Sequence, residues 1–210
     1  GVVRDMSEDA LRKTREMVFD RLPGKVDEMD RLLSENEVLV SRLKGIGYLS
    51  AEDAINASMS GPMLRASGVP YDIRRADPYS IYDRFEFNVV SRTEGDIYAR
   101  YLVRVEEMRE SLKILRQALK QIPAGPIITG KPQYQVKVPA GESYGRVEAP
   151  KGELGFYIVS TGKPNPYRYH VRAPSFINLT SLEMMCAGEK IADFVAILGA
   201  VDIVLGELDR

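Results

Sequence analysis

The chain has 210 residues, 44% hydrophobic and 28% charged, a balance ordinary for a globular protein large enough to bury a core. Its 29 Lys and Arg nearly cancel its 30 Asp and Glu, so no global field steers it toward nucleic acid or an anionic membrane surface. No apolar run reaches the length of a membrane span, Arg4 and Asp5 stand where a signal peptide needs its apolar core, and the single cysteine, Cys186, has no internal disulfide partner, which suits a reducing compartment.

Ser7, with Asp9 and Ala10 behind it, reads as a helix start; Leu11, Val18 and Leu22 share one face until Pro23-Gly24 interrupts. A second helix follows, with Val26, Met29, Leu33, Val40 and Leu43 at steps of three and four. Asn36 fills one seam position, and Gly45 and Gly47 end the helix. Ser50 and Asp53 predict a capping box for a short helix reaching about Ser58, and Gly61-Pro62 begins another. From Gly68 to Ser80 prolines and charges imply a loop, followed by a short strand around Phe85 to Val90.

The strongest helical signal comes next. Thr93 with Asp96 caps it, and Tyr101, Val105, Met108, Leu112, Leu115, Leu119 and Ile122 hold the alternation of three and four. Two long seams imply an antiparallel helix pair, part of a bundle. Beyond Pro123 the density of proline and glycine marks a change of architecture. Strands are predicted over Tyr144 to Ala149, Leu154 to Ser160 and Tyr167 to Arg172, forming a small antiparallel sheet whose Arg168, His170 and Arg172 face is wet. Thr180 with Glu183 caps a last helix in which Leu182, Met185, Ile191, Phe194, Val195 and Leu198 leave little polar face. That helix is expected to be deeply buried, here or against another subunit. The fold class is therefore mainly α with a small antiparallel β-sheet (α+β), divided into a helical part over 1–124 and a sheet plus C-terminal helix over 125–210.

Little in this chain suits conventional catalysis. One cysteine cannot supply the several thiolates a nickel-iron centre requires, and Cys186 lies in an apolar run as a small hydrophobe would. His170 is the lone imidazole, set among arginines, and reads as a surface or interface histidine. Gly45-Ile46-Gly47 lacks the third glycine and the preceding strand of a dinucleotide fingerprint, so NADH is not bound here. No catalytic or metal-ligating residue is assigned. Arg65, Arg74 and Arg75 are dense enough to form a docking surface or buried ion pairs, and we read them as a subunit interface.

The last nine residues, Asp202-Ile203-Val204-Leu205-Gly206-Glu207-Leu208-Asp209-Arg210, and the upstream Glu148-Ala149-Pro150-Lys151-Gly152 carry a resemblance. Nickel-iron hydrogenase large subunits have Asp-Pro-Cys-x-x-Cys-x-x-His at their end and a Glu-Ala-Pro-Arg-Gly segment before it. Here Val204 and Glu207 stand in place of the two metal-binding cysteines, and Arg210 in place of the histidine. With Gly61 to Gly68, Asp72-Ile73-Arg74-Arg75, Pro78-Tyr79, Tyr101 to Arg104, Pro166-Tyr167-Arg168 and Arg172 to Phe176, the chain resembles the D subunits of the proton-pumping NADH-quinone oxidoreductases, respiratory complex I. That resemblance extends across the whole sequence.

What the resemblance implies is a hydrogenase-like framework that has exchanged its metal for quinone. Asp202 and Val204 fall beside the vacated metal cavity, as a hydrogen-bonding group and an apolar wall for a quinone, against the plainer readings of a strand-end cap and core packing. Glu148 and Lys151 are expected to support the cavity by ion pairing with the C-terminal strand. Arg210, bearing a guanidinium and the terminal carboxylate, is expected to need at least one salt bridge.

The resemblance also implies that this chain binds no cofactor itself. Quinone is a substrate of the complex, while NADH, flavin and iron–sulfur clusters belong to other subunits. Its implied partners are the iron–sulfur subunit carrying the terminal cluster, other peripheral-arm subunits and the membrane-arm subunit of the quinone site. The implied place is peripheral, on the cytoplasmic side of the cell inner membrane. The start at Gly1 reads as the C-terminal half of a longer subunit. The histidine and tyrosine with which the family holds the quinone headgroup have no counterpart here, so this fragment alone is expected to be inactive. Rival readings are an active metalloenzyme, and a non-catalytic scaffold of a related complex with a different electron donor.

Overall fold

A computed structural model describes residues 4–128, 130 and 136–209. Its first element is helical from α1 (Glu8–Glu16) through a π turn (Met17–Arg21) into α2 (Leu22–Leu33). Ser7 caps it, its hydroxyl accepting from the Ala10 amide at 3.2 Å. Pro23-Gly24 does not interrupt this helix as expected. Proline lacks an amide and its ring collides with the carbonyl four residues back, and the wider π turn just upstream absorbs that conflict. The true break comes at Asn36, whose side chain accepts from the amides of Val38 and Leu39 and starts α3 (Glu37–Leu43). Asn36 is a cap, not a seam residue.

Three short helices follow, α4 (Ala51–Asn56), α5 (Gly61–Ala66) and α6 (Ile73–Ala76), then a 3-10 turn (Tyr82–Arg84). The strand expected around Phe85 to Val90 is not formed. Phe85 and Phe87 are buried while Glu86 and Asn88 are exposed, so the alternation is real. The amides of Glu86 and Asn88 nevertheless donate to the side chains of Gln117 and Glu110 on the next helix, α7 (Ile97–Gln121), instead of to a partner strand.

α7 is the spine, 25 residues long, and its cap is Asp96, which accepts from the Ala99 amide at 2.7 Å. It runs antiparallel to the first helix. Near its start the Tyr98 hydroxyl donates to the Ser34 carbonyl, and near its end Leu119 and Leu112 pack with Val18, Leu11 and Phe19.

A three-stranded antiparallel sheet, β1 (Gly141–Ala149), β2 (Gly152–Ser160) and β3 (Arg168–Arg172), has the order β1-β2-β3. Its root is buried, at Gly152, Glu153 and Gly155, and at the far end of β2 only Ser160 is. Its apolar face, with Phe156, Ile158 and Tyr169, is exposed as well as its polar face, because among the described residues nothing packs over the outer strands.

The C-terminal region differs from the single buried helix expected. It is broken into α8 (Pro174–Asn178), a 3-10 turn (Leu179–Ser181), α9 (Leu182–Cys186), α10 (Ile191–Val201) and α11 (Leu205–Leu208). Gly188, at φ +83°, turns the chain between α9 and α10. One face of α10 is core: Ile197, Ala200 and Val201 join Leu49, Met63, Ile97 and Met185 in the main cluster, so the helical part and the C-terminal part share one core. The other face is open, with Ile191 94% and Val195 73% exposed. Among the described residues no helix is long and apolar enough to cross a membrane.

Candidate functional site

The turn joining β1 to β2, Pro150-Lys151, is pressed against the start of α5. A Cβ on Gly152 (φ +135°) would come within 2.4 Å of the Ser60 hydroxyl, and one on Gly61 (φ +68°) within 2.6 Å of the Gly152 Cα. Only glycine permits this approach of two backbones. Fully buried Asn178 locks the contact: its amide donates to the Lys151 carbonyl at 3.1 Å, and its oxygen accepts from the Ser60 amide at 3.4 Å. The Ser60 hydroxyl in turn accepts from the Glu153 amide at 3.0 Å.

Beside this junction lies a cavity of about 500 Å³ between α2, α5, α7, the Glu148–Lys151 segment and the end of α10. That is the size of small-molecule sites. Its character changes along α7. Arg104 and Glu107 line it first, then Met108 and Ser111, then Leu112 and Leu115, faced by Leu22 and Val26 of α2. At 1.5 Å per residue this gradient from charged to apolar covers roughly 16 Å.

Two ion-pair groups make the charged end. In the first, Arg65 is 2% exposed; its Nε donates to Glu107 at 2.7 Å, and one terminal nitrogen donates to Glu148 at 2.8 Å and to the Tyr71 carbonyl at 3.0 Å. Arg74 pairs with buried Asp72 at 2.6 Å. Burial pushes the Glu148 carboxyl above its ordinary pKa, only partly opposed by Arg65. For Asp72 burial acts in the same upward sense, but Arg74 outweighs it and the carboxyl lies below its usual range.

The second group centres on Asp202, the left-handed cap of α10 (φ 59°, ψ 55°). Its carboxylate pairs with the Lys151 ammonium and lies 3.3 Å from Arg104 Nε. Arg104 also donates to the Ala200 carbonyl at 2.8 Å. Behind it, on the preceding turn of α7, Arg100 is wholly buried and donates only to the Gly95 carbonyl. Its Nε and one terminal nitrogen have no partner among the described residues. Burial, with the neighbouring Arg104 charge, lowers Arg100 to about 10.

The residues singled out from sequence therefore separate. Asp202, Glu148 and Lys151 meet at one cavity wall, and Asp202 terminates a helix where a strand end was expected. Val204 does not line that wall. It is 40% exposed, with its amide donating to the Ser175 hydroxyl at 3.1 Å, while Glu207 accepts from the Ser175 amide. Arg210 and its expected salt bridge lie outside the described residues.

Of the two readings of Arg65, docking surface or buried ion pair, the structure has it buried and ion-paired. Its carboxylate partners on α7 and β1 draw the guanidinium inward. Arg74 is mostly buried beside Asp72, and only Arg75 is exposed, stacked 4.1 Å over the Phe87 ring. Sequence patterns gave no site role to Arg104, which stood out only as part of the Tyr101 to Arg104 stretch, nor to Glu107, Ser60 or Asn178. The helical pitch put Arg104 and Glu107 on one face with Met108, but nothing local marked that face as a wall.

The chain matches the family model described as "Respiratory-chain NADH dehydrogenase, 49 Kd subunit" over residues 1–137 and 131–210. It is 54% identical along its whole length to the D subunit of the NADH-quinone oxidoreductase of Dehalococcoides mccartyi. It is also 54% identical to the second such D subunit of Herpetosiphon aurantiacus and 50% identical to the first of a Roseiflexus species, again over all of this chain. The chain spans 57%, 57% and 58% of the length of these three relatives.

Proposed function

The chain belongs to the family of the 49 Kd subunit of respiratory-chain NADH dehydrogenase, and from that premise we propose that it shapes one wall of the quinone chamber of a membrane-associated NADH-quinone oxidoreductase. The observation that carries this reading is the cavity graded from paired charges to aliphatic walls along α7, which suits a ring with oxygen substituents and an apolar tail. Asp202 bounds the polar end, and Val204 follows it in the chain, where a longer subunit or a neighbour would complete the wall. Glu148 and Lys151 support the chamber through Arg65 and Asp202, and Arg210 is assigned the same supporting role.

In this reading the chain positions quinone and carries no electrons itself. Electrons arrive from an adjacent subunit holding the terminal iron–sulfur cluster, NADH and flavin are handled on other subunits, and a membrane-arm subunit closes the chamber from below. The assembly lies on the cytoplasmic side of the inner membrane, Arg75 belongs to a subunit interface, and this length of chain alone has no turnover. The test is photo-crosslinking of the assembled complex with an azidoquinone. Labelling on α7 or the Glu148–Lys151 segment supports the proposal, whereas label confined to other chains overturns it.

A second reading is favoured by a different observation, the open apolar face of α10 with Ile191, Val195 and nearby Leu205, 72% exposed. A face of this kind suits a scaffold that joins subunits of a related complex with a different electron donor. Under that reading the quinone label is absent from this chain while substitutions on α10 block assembly.

A further inference from the structure

The two ion-pair groups at the charged end are unequal. Arg65 and Arg74 face three carboxylates, Asp72, Glu107 and Glu148, whereas Lys151 and Arg104 share a single carboxylate, Asp202. The first group thus has one negative charge in excess and the second one positive. Buried Arg100 stands directly behind the second group. Its nearest opposing charge, Asp96, is spent on the amides of Gly45 and Ala99. The cationic excess also has donors to spare. An ammonium carries three N–H bonds, and Lys151 uses its side chain on Asp202 alone; Arg104 adds its charge and no free donor, since its terminal nitrogens donate to the carbonyls of Arg100 and Ala200 and its unpartnered Nε is buried.

We infer that Lys151 and Arg104 form an oxyanion subsite at the head of the cavity, so that it prefers ring ligands bearing an ionised oxygen, with Asp202 as the internal anion such a ligand competes against. The inference rests on the quinone-chamber reading and adds the chemical class of ligand the chamber holds best. Charge-assisted hydrogen bonds are roughly twice as strong as neutral ones, and in a half-buried wall they are little screened. Glu107 and Glu148, both engaged by Arg65, disfavour the same anion at the opposite group and so fix its orientation.

The experiment is calorimetric titration of the assembled, detergent-solubilised complex at neutral pH with a 2-hydroxy-3-alkyl-1,4-naphthoquinone, ionised under those conditions, and with its neutral 2-methoxy ether. The acid is expected to bind about tenfold tighter or more, as one charge-assisted hydrogen bond predicts. Lys151→Met brings the two ligands to parity, Lys151→Arg keeps the preference, and Asp202→Asn tightens the acid alone by removing its competitor. A structural role for these residues would weaken both ligands together. Equal binding of acid and ether to the unsubstituted complex, or a preference that survives Lys151→Met, overturns the oxyanion subsite and leaves the chamber reading standing. Binding of neither ligand overturns both. Far-UV circular dichroism checks that each variant folds, and Lys151→Arg with Asp202→Asn keep the test decisive if Lys151→Met does not.

Discussion

The inner end of α10 and its outer face are made from one run of sequence, yet they obey different rules. At the inner end Val201 is buried, Asp202 turns left-handed, and its carboxylate is met by Lys151 and Arg104. On the outer face Ile191 and Val195 are left largely in solvent. The chain gathers ionic partners around the half-buried Asp202 carboxylate and leaves apolar surface uncovered. Charges left unpaired on burial cost far more than aliphatic side chains left wet, which favours ionic partners within the chain, Arg100 excepted, while the apolar exterior can wait for a cover.

The largest loss on the inner side is expected from Gly152→Ala. The added methyl would enter the space of Ser60 at a φ that L-residues avoid, so we expect a loss of about 3 kcal/mol or more in urea unfolding, with the cavity wall disrupted. Next is Asn178→Ala, which strands the Ser60 amide and the Lys151 carbonyl in a buried place. A loss of about 2 kcal/mol is expected, read by the same unfolding curves.

Glu148→Gln has a smaller effect that varies with pH. The folded chain raises this carboxyl above its unfolded value of 4.5, so between those values the folded state holds more protons and stability falls as pH rises. The variant has no such group. Its stability relative to the parent should therefore improve from about pH 4 toward neutrality, and a flat difference curve would refute the raised carboxyl. Smallest of all is Val195→Lys on the outer face, expected to change stability by less than about 0.5 kcal/mol while making the chain less prone to associate in sedimentation.

The secondary structure was legible wherever a local rule acted without competition. α7 followed its three-four alternation, and the strands followed their turn residues. Phe85 to Val90 misled because alternation reports burial and is silent on hydrogen-bond partners, which here come from Gln117 and Glu110. The last helix misled because its apolar pattern runs on across Gly188, where the chain turns between α9 and α10. At the site, Asp202, Glu148 and Lys151 could be named from their resemblance to a family, but their convergence depends on Gly61, Gly152 and Asn178 meeting from distant parts of the sequence, which no local window contains. For the same reason the choice between docking surface and buried ion pair could not be made for Arg65, since its partners Glu107 and Glu148 are remote in the chain.

The π turn at Met17–Arg21 fits one extra residue into a turn of an otherwise α-helical rod. An extra residue advances everything after it by about 100° around the axis. Leu22 and Val26 owe to that offset their aim at Leu112 and Leu115, so the greasy half of the chamber is a matter of phase. Shortening this stretch by one residue would wind the helix back to regular pitch, swing both side chains off the wall, and open the chamber without touching one residue that lines it.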